Sequence, residues 1–303
     1  MSTTRPADEP GTPTGPADAP GTPTGPADAP AVPTRLVVHA LVREDGSVDA
    51  GELYEVAGAL GMSDQQVRLC VKRLTAEGRF TQEGRGRRAV LRLTGTADAE
   101  AAGLPMVPEV AFVRHAYRQD AGLEPWDGTW RLFAFAVPEA ARSARDALRD
   151  TLTSLGAAPV QGGLYLTPNE VGPYVRARAA ELGVAAGLTC LTSRDLVVGG
   201  IAGPADLAAR LWPLDGIARR YETLRALAEG PGEGLAHAVT LAAAFTEAMG
   251  PDPLLPPELL PTPWPGAAAR AAAAAAWSRL RSAAAPEGPR LFRLYAEAVA
   301  GPA

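Results

Sequence analysis

Residues 61–94 read GMSDQQVRLCVKRLTAEGRFTQEGRGRRAVLRLT, and the pattern changes period once, at Gly78. Before it, Val67, Cys70, Val71 and Leu74 recur at helical spacing and predict one buried stripe. Ser63 is placed as an N-cap, and Gln66 three residues on completes an S-x-x-Q capping box. Gln65, Arg68, Lys72 and Arg73 then fall largely on other faces, open to water or a partner. Gly78 supplies the left-handed conformation that ends many helices. Beyond it, residues 79–82 and 88–94 predict two strands that pair around residues 83–87, where glycines permit a tight reversal. The expectation is a helix of residues 63–77 followed by a hairpin with an arginine-rich tip.

Those side chains suit nucleic acid. A helix fits the DNA major groove, where Gln and Arg can read base edges. Guanidinium groups on a hairpin suit phosphate oxygens or a narrow minor groove. Between residues 63 and 94 eight basic residues stand against three acids, in a chain of formal net charge −5. The positive field is therefore local. On pattern alone the stretch serves equally as a solvated amphipathic helix and hairpin. Three arginines at one turn, Arg85, Arg87 and Arg88, exceed what folding stability requires.

Upstream, residues 34–42 (TRLVVHALV) and 52–60 (ELYEVAGAL) predict two further helices. Three helices followed by a hairpin is the order of a winged helix-turn-helix. His39, among apolar neighbours, reads as a structural histidine. Residues 1–33 hold a ten-residue repeat, PADEPGTPTG and PADAPGTPTG, with nothing to bury, and predict an extended, disordered tail.

Residues 95–125 are rich in Ala, Gly and Pro and read as a linker with a short helix near 110–118, where His115 and Arg118 would lie on an exposed face. From there the pattern alternates helix and strand: strand 129–137, helix 138–155, strand 160–167 with a bulge or bend at Gly162-Gly163, helix 170–182, then strands 188–192 and 196–199. That arrangement predicts a ferredoxin-like α+β unit over 126–203. Residues 204–303 read as helical, with segments near 206–212, 217–228, 235–249, 266–284 and 289–300. Asp252 to Gly266 is too rich in proline for helix. The 303 residues are enough for two or three small domains, each with its own core.

Cys70 and Cys190 lack the spacing of metal ligands and read as unreactive thiols in a reducing compartment. No apolar run reaches the roughly 20 residues a membrane helix needs, and the N-terminus lacks a signal-peptide core. The sequence predicts a cytoplasmic protein without cofactor or metal. Trp212, Trp264, Trp277 and Tyr295 read as core residues more readily than as the lining of a pocket.

Four stretches carry a resemblance: GRGRR at 84–88, WDGTWRL at 126–132, LPPELLPTPWPG at 255–266 and FRLY at 292–295. In this order they resemble the PaaX family of transcriptional repressors, named for control of phenylacetate catabolism, from about residue 34 to the C-terminus. The resemblance implies an α+β multidomain fold: a winged helix-turn-helix, a ferredoxin-like middle domain like that of a small CRISPR-associated nuclease, and a helical C-terminal domain. It implies a homodimer on a palindromic operator in double-stranded DNA, released by a small-molecule effector such as an aryl-acyl-CoA. The candidate DNA-binding residues are Ser63, Gln65, Gln66, Arg68, Lys72, Arg73, Arg85, Arg87 and Arg88. Departures from the family pattern are a short first helix, the extra tail, and Ala89-Val90 in place of bulkier aromatic residues.

Two enzymatic readings compete. A metal-dependent nuclease on the ferredoxin-like unit needs converging carboxylates, but the first strand ends Ala136-Val137-Pro138, with only Glu139 beyond. An enzyme acting on CoA esters needs an acid–base group, and His237 is the sole histidine of the C-terminal half.

Overall fold

The computed structural model describes residues 32–94 and 110–299. The repeat tail of residues 1–31, most of the first half of the linker (95–109) and the last four residues lie outside the described residues. The fold is mixed α+β and multidomain, with eleven α-helices and two small antiparallel sheets among the described residues.

The chain enters through α1 (Thr34–Ala40), β1 (Ser47–Asp49), α2 (Ala50–Ala59) and α3 (Asp64–Ala76). It then forms a hairpin of β2 (Phe80–Glu83) and β3 (Val90–Leu93). The sheet order is β1-β3-β2. Strand β1 has no counterpart in the sequence reading, because three residues are too short to display alternation. Local chemistry sets it up: the Asp45 carboxylate accepts from the Ser47 amide at 2.9 Å. Asp49 then caps α2 by accepting from the Glu52 amide at 2.8 Å, so α2 starts at Ala50 rather than 52. His39 is half-buried against Phe80, ring centroids 5.4 Å apart.

Helix α4 (Val110–Asp120) follows, in what the sequence presents as a linker. It buries Val113 and Ala116 and packs against the last helix of the chain. His115 and Arg118 both pair with Glu124.

The middle unit runs β4 (Trp130–Phe135), α5 (Arg142–Ser154), β5 (Ala158–Gln161), β6 (Leu164–Thr167), α6 (Gly172–Glu181) and β7 (Leu188–Ser193). Its sheet order is β5-β6-β4-β7, every pair antiparallel. The single strand expected over 160–167 is a hairpin instead. Gly162 and Gly163, at φ 47° and 89°, reverse the chain between β5 and β6 rather than bending one strand. The strand expected over 196–199 reduces to one bridge, Val198 to Ile201.

Strand β4 is apolar on both sides because both faces of its sheet are covered. Phe133 packs with Leu148, Leu152, Val175 and Ala179 of α5 and α6. Trp130 and Leu132 face the opposite way, where Trp130 stacks on Trp212 at 6.4 Å.

The C-terminal part comprises α7 (Pro204–Leu211), α8 (Leu214–Glu229), α9 (Gly234–Met249), α10 (Gly266–Ala283) and α11 (Leu291–Val299). Trp212, Trp277 and Tyr295 are core residues. The middle unit has a buried cluster of its own, but the first and last units do not have separate cores. Val37, Leu53, Leu74 and Phe80 belong to the same continuous cluster as Tyr221, Phe245 and Trp277. The Arg290 amide donates to the Val42 carbonyl at 2.9 Å, and Arg293 pairs with Glu44 at 2.8 Å. The first unit is thereby fastened to α11.

Candidate nucleic-acid interface

Helix α3 is built as its sequence specifies. The Gln66 amide donates to Ser63 Oγ at 3.3 Å, and the Ser63 amide donates to Gln66 Oε1 at 2.7 Å, which closes the capping box. Ser63 and Gln66, both candidate DNA contacts, are therefore engaged with each other. Val67 and Leu74 are buried, and Cys70 and Val71 are half-buried. Burial pushes the Cys70 thiol above its usual pKa, which keeps it protonated and a poor nucleophile. Gln65, Arg68, Lys72 and Arg73 are all exposed. Gly78, at φ 68°, stops the helix, and the Arg79 amide donates to the Leu74 carbonyl at 2.9 Å.

Between β2 and β3 the tip forms a turn of 3-10 helix, Gly86–Arg88. Arg88 thus lies in the turn, not in the strand the sequence suggests. Gly84 and Gly86 have φ of 82° and 62°, which L side chains rarely adopt. Helix α2 abuts this turn closely, since a Cβ on Gly51 would come 3.1 Å from the Arg87 carbonyl oxygen.

The three tip arginines do not act alike. Arg87 folds back to the N-terminus of α3, where its Nη2 reaches both Asp64 oxygens at 3.3 Å. Its guanidinium also lies 5.1 Å from the Tyr54 ring centroid. Arg85 and Arg88 are exposed and have no carboxylate partner among the described residues. The other two acids of the segment are also occupied: Glu77 pairs with Arg35 at 2.9 Å and Glu83 with Arg92 at 3.3 Å. With each acid matched by an arginine, Arg68, Lys72, Arg73, Arg79, Arg85 and Arg88 have no carboxylate partner among the described residues, and all of these but Arg79 lie on α3 and the tip.

An open groove of about 520 Å³ runs between α3 and the hairpin. Arg68, Lys72 and Arg85 stand on its walls, Tyr54 and Gln82 join them, and Leu53, Val71 and Leu91 line its apolar part. Tyr54 and Asp64 escaped the sequence reading. Asp64 reads there only as one of three acids in a basic stretch, and Tyr54 only as part of an apolar helix. Their bond to Arg87 joins residues far apart in the chain.

In the middle unit, Glu139 pairs with Arg145 at 3.1 Å. Among the described residues no group of three or more His, Cys, Asp or Glu is gathered to hold a metal ion, and no helix is long and apolar enough to cross a membrane. His237 is half-buried, and burial, then Arg279, lowers its pKa.

Comparison with known proteins places three family models along the chain. Residues 33–97 match the model described as PaaX-like protein. Residues 123–207 match the PaaX protein central Cas2-like domain, and 212–287 the PaaX-like protein C-terminal domain. No curated protein matches. Among solved structures, the chain is similar to the uncharacterized protein Rv0674 from Mycobacterium tuberculosis, with 25% identity, over 77% of this chain and 90% of that one, at a TM-score of 0.44.

Proposed function

With three PaaX-type segments in succession, this chain belongs to the PaaX family, whose domains are associated with transcriptional regulators rather than enzymes, and we propose that it is a sequence-specific, DNA-binding repressor. The observation that carries the reading is the set of five uncompensated cations on α3 and the adjoining tip, in a chain of net charge −5. In this reading α1–α3 with the β1-β3-β2 sheet are a winged helix-turn-helix. Gln65, Arg68, Lys72 and Arg73 enter the major groove, and Arg85 and Arg88 lie on phosphates. Ser63 and Gln66 hold the helix start in place, and Arg87 braces the wing against it.

The βαββαβ middle unit is read as ferredoxin-like. A homodimer would present two α3 helices to successive major grooves of a palindromic operator, about 34–36 Å apart. A small-molecule effector, with aryl-acyl-CoA thioesters as the first class to test, would act in the cytoplasm by favouring an arrangement of the two helices that one duplex cannot meet. Couplings of about 1–3 kcal/mol are enough for such a switch. The contacts of Arg290, just before α11, with Val42 and of Arg293, in its first turn, with Glu44 support a direct mechanical route.

Selection from random-sequence DNA, followed by anisotropy titration at several salt concentrations, tests the proposal. The expected outcome is an enriched palindrome, with log affinity falling against log salt by about 0.9 per neutralised phosphate. No enriched sequence and a flat salt response would overturn it. A panel of aryl- and alkyl-CoA thioesters should then contain one that raises the melting temperature and releases the DNA.

A further inference from the structure

Helix α3 carries one large apolar side chain that neither its cap nor its core employs. At 3.6 residues per turn, positions 65, 69, 72, 73 and 76 run along the side turned away from Val67 and Leu74. Gln65, Lys72 and Arg73 are polar and Ala76 is small, whereas Leu69 is a large apolar group left 47% exposed. The buried stripe is complete without it. Single exposed leucines are ordinary on protein surfaces, but the surroundings of this one are not. Gln65 precedes it by one turn, Arg73 follows by one turn, and Lys72 lies beside it. The crest therefore offers one apolar contact within a cationic, hydrogen-bonding frame.

The partner such a frame attracts is a polyanion. A DNA major groove displays one apolar group among its donors and acceptors, the C5-methyl of thymine. We infer that Leu69 is a specificity-determining residue, whose side chain covers a thymine methyl and selects thymine over cytosine at one position of each half-site. The inference rests on the DNA-binding reading above and adds to it the identity of a base. Gln65 and Arg73, one turn to either side, would contact the flanking base pairs and hold the leucine in register.

Replacing thymine with deoxyuridine removes only the methyl group, which makes a direct test. The operator enriched by selection with the full chain is re-synthesised with one thymine at a time changed to deoxyuridine. Wild-type protein should bind about fourfold more weakly at one thymine per half-site, the effect of a single buried methyl-sized group. Leu69→Ala should lose affinity for the thymine operator and no longer distinguish thymine from deoxyuridine there. Alanine is the best helix former and the site is exposed, so the variant should melt with the wild type. Equal wild-type affinity for every deoxyuridine operator overturns the inference. So does a Leu69→Ala variant that keeps the wild-type thymine-to-uracil ratio. A variant that keeps this ratio but changes the oligomer mass in light scattering overturns it in favour of a protein contact. A selection with no enriched sequence is a separate result, which removes the DNA-binding reading itself.

Discussion

Asp64 and Arg87 face each other across the junction of helix and hairpin, each about half exposed. An ion pair so wet contributes at most about 1 kcal/mol to stability, but it sets how much charge the surface offers. Asp64→Asn should therefore raise affinity for DNA of any sequence and steepen the salt slope, because Arg87 is then free to meet a phosphate. Arg85→Ala and Arg88→Ala should each flatten that slope by about 0.9. Anisotropy titrations in 50–300 mM salt (roughly the range where counterion release is read out) measure both effects.

His39 offers a second residue-scale prediction. Burial first, then Arg35, lowers its pKa from the ordinary value of 6.5. Below about pH 6.5 the unfolded chain takes up a proton that the folded ring resists, so the unfolded state binds more protons. The stability is present in full above that pH and declines as the pH falls. Melting temperatures recorded from about pH 7.5 down to 5.5 should decrease, and less steeply for His39→Gln.

At the scale of elements, α3 shows how far local rules reach. Cap, stripe and stop agree with one another, so its bounds match the reading to within a residue. Ser63→Ala removes one half of the capping box and should cost about 1 kcal/mol in urea unfolding. It should weaken DNA binding as well, because Asp64 and Gln65 lie in the turn that frays. Elsewhere the local rules stop short. Strand β1 exists because β3 is there to pair with it, Val48 opposite Leu91. The separation of β5 from β6 at Gly162-Gly163 was hidden because a glycine pair permits a bulge as well as a reversal. Only the pairing of β6 with β4 selects the reversal.

Over the whole molecule, the buried Arg270 joins segments distant in sequence. Its guanidinium meets Asp120 of α4 at 2.5 Å and the Tyr221 hydroxyl of α8 at 2.7 Å. That hydroxyl lies 2.5 Å from the Asp252 carboxylate, which also accepts from the Leu254 amide at 2.8 Å. Burial pushes Asp252 above the usual carboxylate range, against the pull of Tyr221 and Arg270. Asn169 of the middle unit donates to the Pro253 and Leu254 carbonyls at 2.9 and 3.0 Å. The proline-rich segment is thus where the linker helix, middle unit and helical part meet. Arg270→Ala strands two acids without their counter-charge and should cost about 3–5 kcal/mol in urea unfolding. A loss below about 1 kcal/mol would mean that water reaches the cluster.

Residue type and short spacing were enough for the places of the helices, the cap and stop of α3, the local surplus of positive charge and the family resemblance, but not for β1 or for the division of β5 from β6. Only the tertiary structure decided which arginines are free, that α4 belongs to a core, and that the first unit shares its core with the last helices. Those outcomes depend on contacts between residues brought together from distant parts of the chain. Short-range patterns carry no record of such meetings: Arg87 and Asp64 are 23 positions apart, and Arg270 and Asp120 are 150.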